Sequence, residues 1–279
     1  MADPAPLSPL AELARRSDPD RFLCALFAPP ERRETQFLLI AFNHELARAR
    51  VVASNPMAAL IRLQWWRETV EQAGTDTPPR RHEVAGPLAV ALREGRLEAA
   101  DLLGMIDARE AETEEEIPSR GALLAYLRGS AGGFAVAAGR ALGAPAESLP
   151  GLQGIGAAYG MAGLLRSIPA QAGQGRSLLP ADLLAEHQLT PADVARNPAV
   201  VGVTAAARSL AEEGLALLRD SEARLGRLPR GSIAAALPGR LARRDLRRVL
   251  AAGWDAAQPP APRGLGDRLA VAWAGWRRG

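Results

Sequence analysis

Residues 37–71, FLLIAFNHELARARVVASNPMAALIRLQWWRETVE, carry apolar side chains at helical spacing on both sides of a Ser54-Asn55-Pro56 break. Asn before Pro ends one helix and starts the next, so this stretch predicts two long helices joined by a tight turn. The same signature recurs along the chain, and alternating strand patterns of useful length are missing. An all-α fold follows. On the first helix His44, Arg48 and Val51 share a face with Ala47 beside them, and on the second Arg62, Trp66 and Thr69 do, because residues three and four apart are neighbours. If the two helices pack antiparallel, polar groups from both converge on one cleft.

Further helices are expected at 10–16, 21–27, 86–94, 98–115, 119–142, 151–168, 191–196, 199–225 and 265–278. Pro169 is expected to end the eighth of these eleven in chain order. Proline- and glycine-rich loops fall at 74–81, 143–150 and 170–180, and 258–263 reads as a stiff spacer. The organisation expected is a mobile tail with a short helix over 1–16, one helical domain over 17–256, and a spacer with a Trp/Arg helix over 257–279.

With 279 residues, 48% hydrophobic and 23% charged, the chain has the balance of a globular protein with a sizeable core. All 34 basic residues are Arg and the formal net charge is +3, too small for a nucleic-acid signature. Cys24 is the single cysteine, which excludes an internal disulfide and a cysteine-held metal cluster. No run reaches the roughly 18 apolar residues that span a bilayer, and a cytoplasmic location, with peripheral contact at the inner membrane, is the expectation. The last segment places Leu269, Trp273 and Trp276 on one side with Arg268, Arg277 and Arg278 nearby, suited either to packing on its own domain or to docking on a partner or membrane surface.

The chemistry-bearing patterns are few. A Walker loop is impossible without Lys, and HExxH and paired-His metal spacings are absent. His82 and His187 read as structural, and His44 stands out only for its place in the organising stretch. Glu112 and Glu116 have the i,i+4 spacing that can hold a divalent cation, but they precede Ile117-Pro118 and read as a solvated helix end.

DPDRFLCALFAPPERRETQFLLIAFNHELARAR, then IRLQWWRETVE, YLRGSAGGFAVAAGRALG and GIGAAYGMAGLLRSIPAQAGQGRSLLPADLL, occur in an order that resembles the squalene/phytoene synthase family over about residues 17–250. The similarity is to its branch containing the mitochondrial complex I assembly factors. The resemblance implies an isoprenoid-synthase-like helical bundle around a central cavity, flanked by two Asp-rich helices whose carboxylates hold Mg²⁺ against a prenyl diphosphate. Here the first motif's Asp positions align with Ala47, Arg48 and Val51, and the second's with Ser167 and Gln171, so no metal site is expected. Arg166, Gly175, Arg176 and Pro180 match the second motif, and Trp66, Arg67 and Glu68 follow the first.

What the resemblance implies is a non-catalytic protein acting in binding or assembly, with respiratory complex I subunits as partners and no cofactor. Arg48, Arg62, Arg166 and Arg176, with His44, are then candidates to bind an anion directly, since guanidinium matches phosphate oxygens. Two alternatives stay open. One is an active prenyltransferase that recovers Mg²⁺ through Asp107, Glu110 or Glu45. The other is a carrier of a prenyl lipid or diphosphate.

Overall fold

The centre of the molecule is a helix, Leu149–Arg166, buried on nearly every side: Leu152, Ile155, Ala157, Ala158, Met161, Ala162, Leu164 and Leu165 all lie in the core. A helix surrounded by others needs apolar residues all round and small residues where neighbours come close, and LPGLQGIGAAYGMAGLLR supplies both. A Cβ on Gly156 would sit 2.4 Å from the Ala131 carbonyl oxygen, and one on Gly154 would meet the Ser221 hydroxymethyl group. These glycines set the spacing of the bundle.

This computed structural model describes residues 6–53, 55–75 and 78–278, with only the backbone of 277 and 278. The helices are α1 Pro9–Ser17, α2 Pro19–Ala25, α3 Pro30–Val51, α4 Pro56–Gln72, α5 Ala85–Arg93, α6 Ala99–Arg109, α7 Arg120–Leu127, α8 Gly133–Ala141, α9 Leu149–Arg166, α10 Ile168–Gly173, α11 Ala181–Ala185, α12 Pro191–Arg196, α13 Val201–Arg224, α14 Pro238–Leu250 and α15 Leu265–Arg278. Among the described residues there is no strand.

Around α9 pack α8, α13 and α14, while α1 and α4 lie on α3 and α6 bridges α4 to α8. One buried cluster runs from Ala11 and Ala14 to Ala256, so the packed core begins with α1. A smaller cluster of Cys24, Ile233, Leu237, Leu241, Val271 and Ala274 fastens α15 beside α2 and α14. Helix ends follow local chemistry: Asn55 accepts from the Ala58 N–H and Pro56 opens α4, while Thr190 and Asp193 close a capping box on α12. Ser54, the first residue of the expected turn, lies outside the described residues.

Three expectations change. The helix expected over 98–115 ends at Arg109 and tightens into a 3₁₀ turn over Glu110–Thr113. Pro169 does not simply stop α9; it falls in the first turn of α10, where its missing N–H costs nothing. The helix expected over 119–142 is α7 and α8 joined through a π-turn at Arg128–Gly132, a wider loop that glycine permits.

Candidate functional site

α3 and α4 do meet, but their contact is aromatic rather than polar. Trp66 packs edge-on against Phe42 at 5.4 Å between ring centroids, and His82 stands against Trp65 and Trp66 at 5.6 and 5.3 Å. His82 Nδ1 accepts from the Val84 N–H at 3.1 Å, which accounts for it structurally. The polar cleft lies elsewhere. A cavity of about 230 Å³ opens between the π-turn, the C-terminal half of α9, and the region of Asp245 and Arg263. Its charged and phenolic lining is Arg21, Arg109, Tyr126, Tyr159, Arg166, Asp245 and Arg263.

The π-turn shapes one wall by bringing Ser130 and Ala131 to the cavity, with the Ser130 hydroxyl donating to the Tyr126 carbonyl at 2.7 Å. Arg263, from the spacer before α15, clasps two carboxylates far apart in sequence. Its Nη2 donates to Asp20 Oδ2 at 2.6 Å and to Asp245 Oδ2 at 2.7 Å, and its Nη1 to Asp245 Oδ1 at 2.6 Å. Burial disfavours the Arg263 charge, but the hydrogen bonds it donates to Asp245 and Asp20 outweigh this and hold the group protonated beyond the ordinary arginine range. Arg166 joins the same pair, 3.4 Å from Asp245 and 3.7 Å from Asp20.

On the opposite wall Arg109 donates to Glu112, to the Tyr126 hydroxyl at 3.3 Å and to Asn43 at 3.2 Å. Tyr126 also donates to Glu112, and burial, then the Glu112 charge, push its phenol well above the usual range. Arg21 is buried, pairs with Asp18 at 3.0 Å, and lies over the rings of Phe134 and Tyr159 at 4.1 and 4.9 Å. The Nε atoms of Arg21 and Arg109 are buried with no protein acceptor. Most of the arginine charge around the cavity is balanced by Asp18, Asp20, Asp245 and Glu112.

Of the five sequence candidates, Arg166 lines this cavity and the other four do not. Arg48 sits on the outer face of α3, half exposed, bound to its helical neighbour Glu45 at 3.1 Å. Arg62 is exposed on α4. His44 is half-buried, and burial, opposed by Glu45 and aided by Arg48, lowers its pKa and favours neutral imidazole. Arg176 donates to the Glu112 carbonyl at 2.6 Å, its own pKa lowered by burial and by the nearby charge of Arg50. Thus Arg166 faces the Asp20–Asp245 pair and Arg176 the Glu112 carbonyl, while α3 and α4 turn Arg48 and Arg62 outward.

Sequence reasoning missed Arg21, Arg109 and Arg263. The DPDR segment at 18–21 held a signal for Asp20 and Arg21. Nothing in QPPAPR marks Arg263.

The donor set does not fit a Mg²⁺ cluster. Ala47, Arg48 and Val51 present no carboxylate, and at the second motif Gln171 is bonded to the Ser167 hydroxyl while its carbonyl accepts from the Leu178 N–H at 3.0 Å. Among the described residues no three His, Cys, Asp or Glu side chains gather as metal ligands. Glu45 is taken by Arg48, and Asp107 and Glu110 by Arg67 at 2.7 and 2.9 Å. Glu112 is buried against Arg109 and Tyr126, and Glu116 lies beyond the helix, so their i,i+4 spacing is not realised.

The all-helical bundle is an isoprenoid-synthase-like fold. A crystal structure of a dehydrosqualene synthase superposes with a TM-score of 0.79 over 96% of this chain and 94% of that one, at 14% identity. The squalene/phytoene synthase family model matches residues 14–272, so the chain belongs to that family. Among relatives, NADH dehydrogenase (ubiquinone) complex I, assembly factor 6 from Bos taurus is 30% identical over 188 residues, 67% of this chain and 56% of its own length. The chain thus spans little more than half of that relative. Presqualene diphosphate synthase from Rhodopseudomonas palustris is 27% identical over 216 residues, 75% of each chain.

Proposed function

We propose that this chain acts in the assembly of respiratory complex I, as a non-catalytic member of the squalene/phytoene synthase family with complex I subunits as its partners. The observation that carries the reading is the residue set at the two motif positions. Ionising a prenyl diphosphate requires cations that neutralise the departing pyrophosphate, and Ala47, Arg48, Val51, Ser167 and Gln171 supply no carboxylate to hold them. The name of the Bos taurus relative supports the assembly role and suggests the partner. The cavity beside Arg166 is the proposed place for a prenyl lipid or diphosphate, with no cofactor. The location proposed is cytoplasmic with a peripheral membrane contact.

The test is to delete the gene in its own cell and to isolate the tagged protein at native level. Loss of NADH:quinone oxidoreductase activity, with respiratory-chain subunits recovered on the tag, is expected. Normal complex I in the deletion strain refutes the role. The R. palustris relative and the retained cavity favour one second reading, a prenyltransferase. Release of pyrophosphate from farnesyl diphosphate by the pure protein, dependent on Mg²⁺, decides for the enzyme.

A further inference from the structure

α15 is fixed to the body by one face. Asp267, Val271 and Ala274 are buried, and a Cβ on Gly275 would fall 2.4 Å from the Phe27 ring, so the helix cannot roll without losing that fit. The rotation thereby set turns Leu265, Leu269, Trp273 and Trp276 outward, with relative exposures of 73, 57, 58 and 74%. Spacings of four, four and three residues place these four on one stripe. The two indole rings lie 5.7 Å apart. Four large apolar side chains left in water on one helix, two of them Trp, are far more than scattered exposure requires.

The charge of the segment that carries the stripe is predominantly positive. Residues 238–279 contain nine Arg and three Asp and no Glu, a net of +6, whereas the whole chain is +3 and the remainder is therefore −3. Arg268 is exposed on the flank of the stripe, and Arg244 and Arg248 reach from α14 to the first turn of α15. Arg277 and Arg278 follow Trp276 in sequence, with side chains outside the described residues. Among the described residues, no helix is long and apolar enough to cross a membrane.

We infer that α15 is a peripheral docking face for an anionic lipid surface, the Leu and Trp side chains entering the headgroup region and the arginines of α14 and α15 facing the lipid phosphates. Trp favours that interface because its ring is apolar and its N–H is not. A helix lying in the interface plane needs this combination of an apolar stripe and flanking cations. The concentration of positive charge in this one segment is what selects an acidic bilayer over a protein groove. The inference deepens the peripheral membrane contact proposed above and is independent of the assembly role, because its test reads lipid binding alone.

The experiment is flotation of the full-length chain with vesicles of phosphatidylcholine alone or of phosphatidylcholine with phosphatidylglycerol, beside W273A/W276A and R268E variants. The expected result is binding to the acidic vesicles, weakened by salt and by R268E, and reduced roughly tenfold by W273A/W276A with the melting temperature unchanged. Failure of the native chain to float with acidic vesicles overturns the proposal, as does undiminished flotation of W273A/W276A. Equal flotation on both vesicle types removes the anionic requirement and overturns it in the form stated. A dimer that W273A/W276A dissociates, without vesicle binding, assigns the face to a second copy of the chain and overturns it too.

Discussion

Replacing Asp267 by Asn tests how α15 is held. Its carboxylate is 1% exposed, and Oδ1 accepts from Arg244 Nε and Arg248 Nη2, both at 2.6 Å, while Oδ2 accepts from the Gly264 N–H at 3.3 Å. Burial opposes the charge, but the two arginine hydrogen bonds outweigh it and hold the carboxyl at about 2, against an ordinary 3.8. That difference corresponds to roughly 2.4 kcal/mol. Because Arg244 and Arg248 are 42 and 48% exposed, solvent screens part of it, and about 1.5–2 kcal/mol is the working figure. The folded-state pKa is depressed, so this stability is full above the unfolded value near 4 and is lost as pH falls through about 2.

α15 packs through the smaller cluster and not the main core, so the loss is expected first as local undocking. Hydrogen exchange of the α15 amides reads this directly, comparing Asp267→Asn with the native chain at equal pH. At pH 7 the variant is expected to exchange roughly ten- to thirtyfold faster in α15, the factor that corresponds to about 1.5–2 kcal/mol. The ratio should shrink between pH 4 and pH 2, where the native carboxylate gains its proton. A ratio near one at pH 7, or one that stays constant down to pH 2, refutes the assignment of docking strength to this ion pair.

Two further substitutions probe the core and the cavity. Gly156→Ala forces a methyl group against the Ala131 carbonyl, the Ala135 Cβ and the Gly132 Cα, none of which can swing aside. A loss of about 2–3 kcal/mol is expected in urea unfolding, and no loss means that α8 and α9 separate freely. Glu112→Ala leaves the Arg109 guanidinium buried beside Tyr126 without its carboxylate. It should cost about 3 kcal/mol, with the residual bond to Asn43 keeping it at the low end of such losses. Recovery of most of that stability by a second change, Arg109→Met, identifies the stranded charge as the cause; if the double variant is no more stable, the loss has another origin.

Much of the helical layout was readable from local signals. Asn55-Pro56 and Thr190-Pro191 mark helix starts through caps and missing donors, and these act within one turn of chain. Residue identity at the positions aligned with the family's motifs was equally legible, because Ala47, Val51, Ser167 and Gln171 carry no carboxylate in any conformation. What failed was where segments bend or tighten: Pro169 reads as a stop and serves as a start, and a single helical run conceals the π-turn at 128–132 that forms one wall of the cavity.

The cavity itself was hardly legible. In a chain whose basic residues are all arginine, no local feature separates Arg263, which joins Asp20 and Asp245, from Arg48, which turns to solvent beside Glu45. By itself, then, the sequence determined that the chain is helical, where most helices begin, and that Ala47, Arg48, Val51, Ser167 and Gln171 carry no carboxylate, since each depends on residue identity or on contacts a few positions apart. Only tertiary structure decided which arginines meet, which carboxylates they neutralise, and which face of α15 stays in water. Those outcomes depend on packing between segments up to 243 residues apart, and such distances in the chain carry no periodic signal.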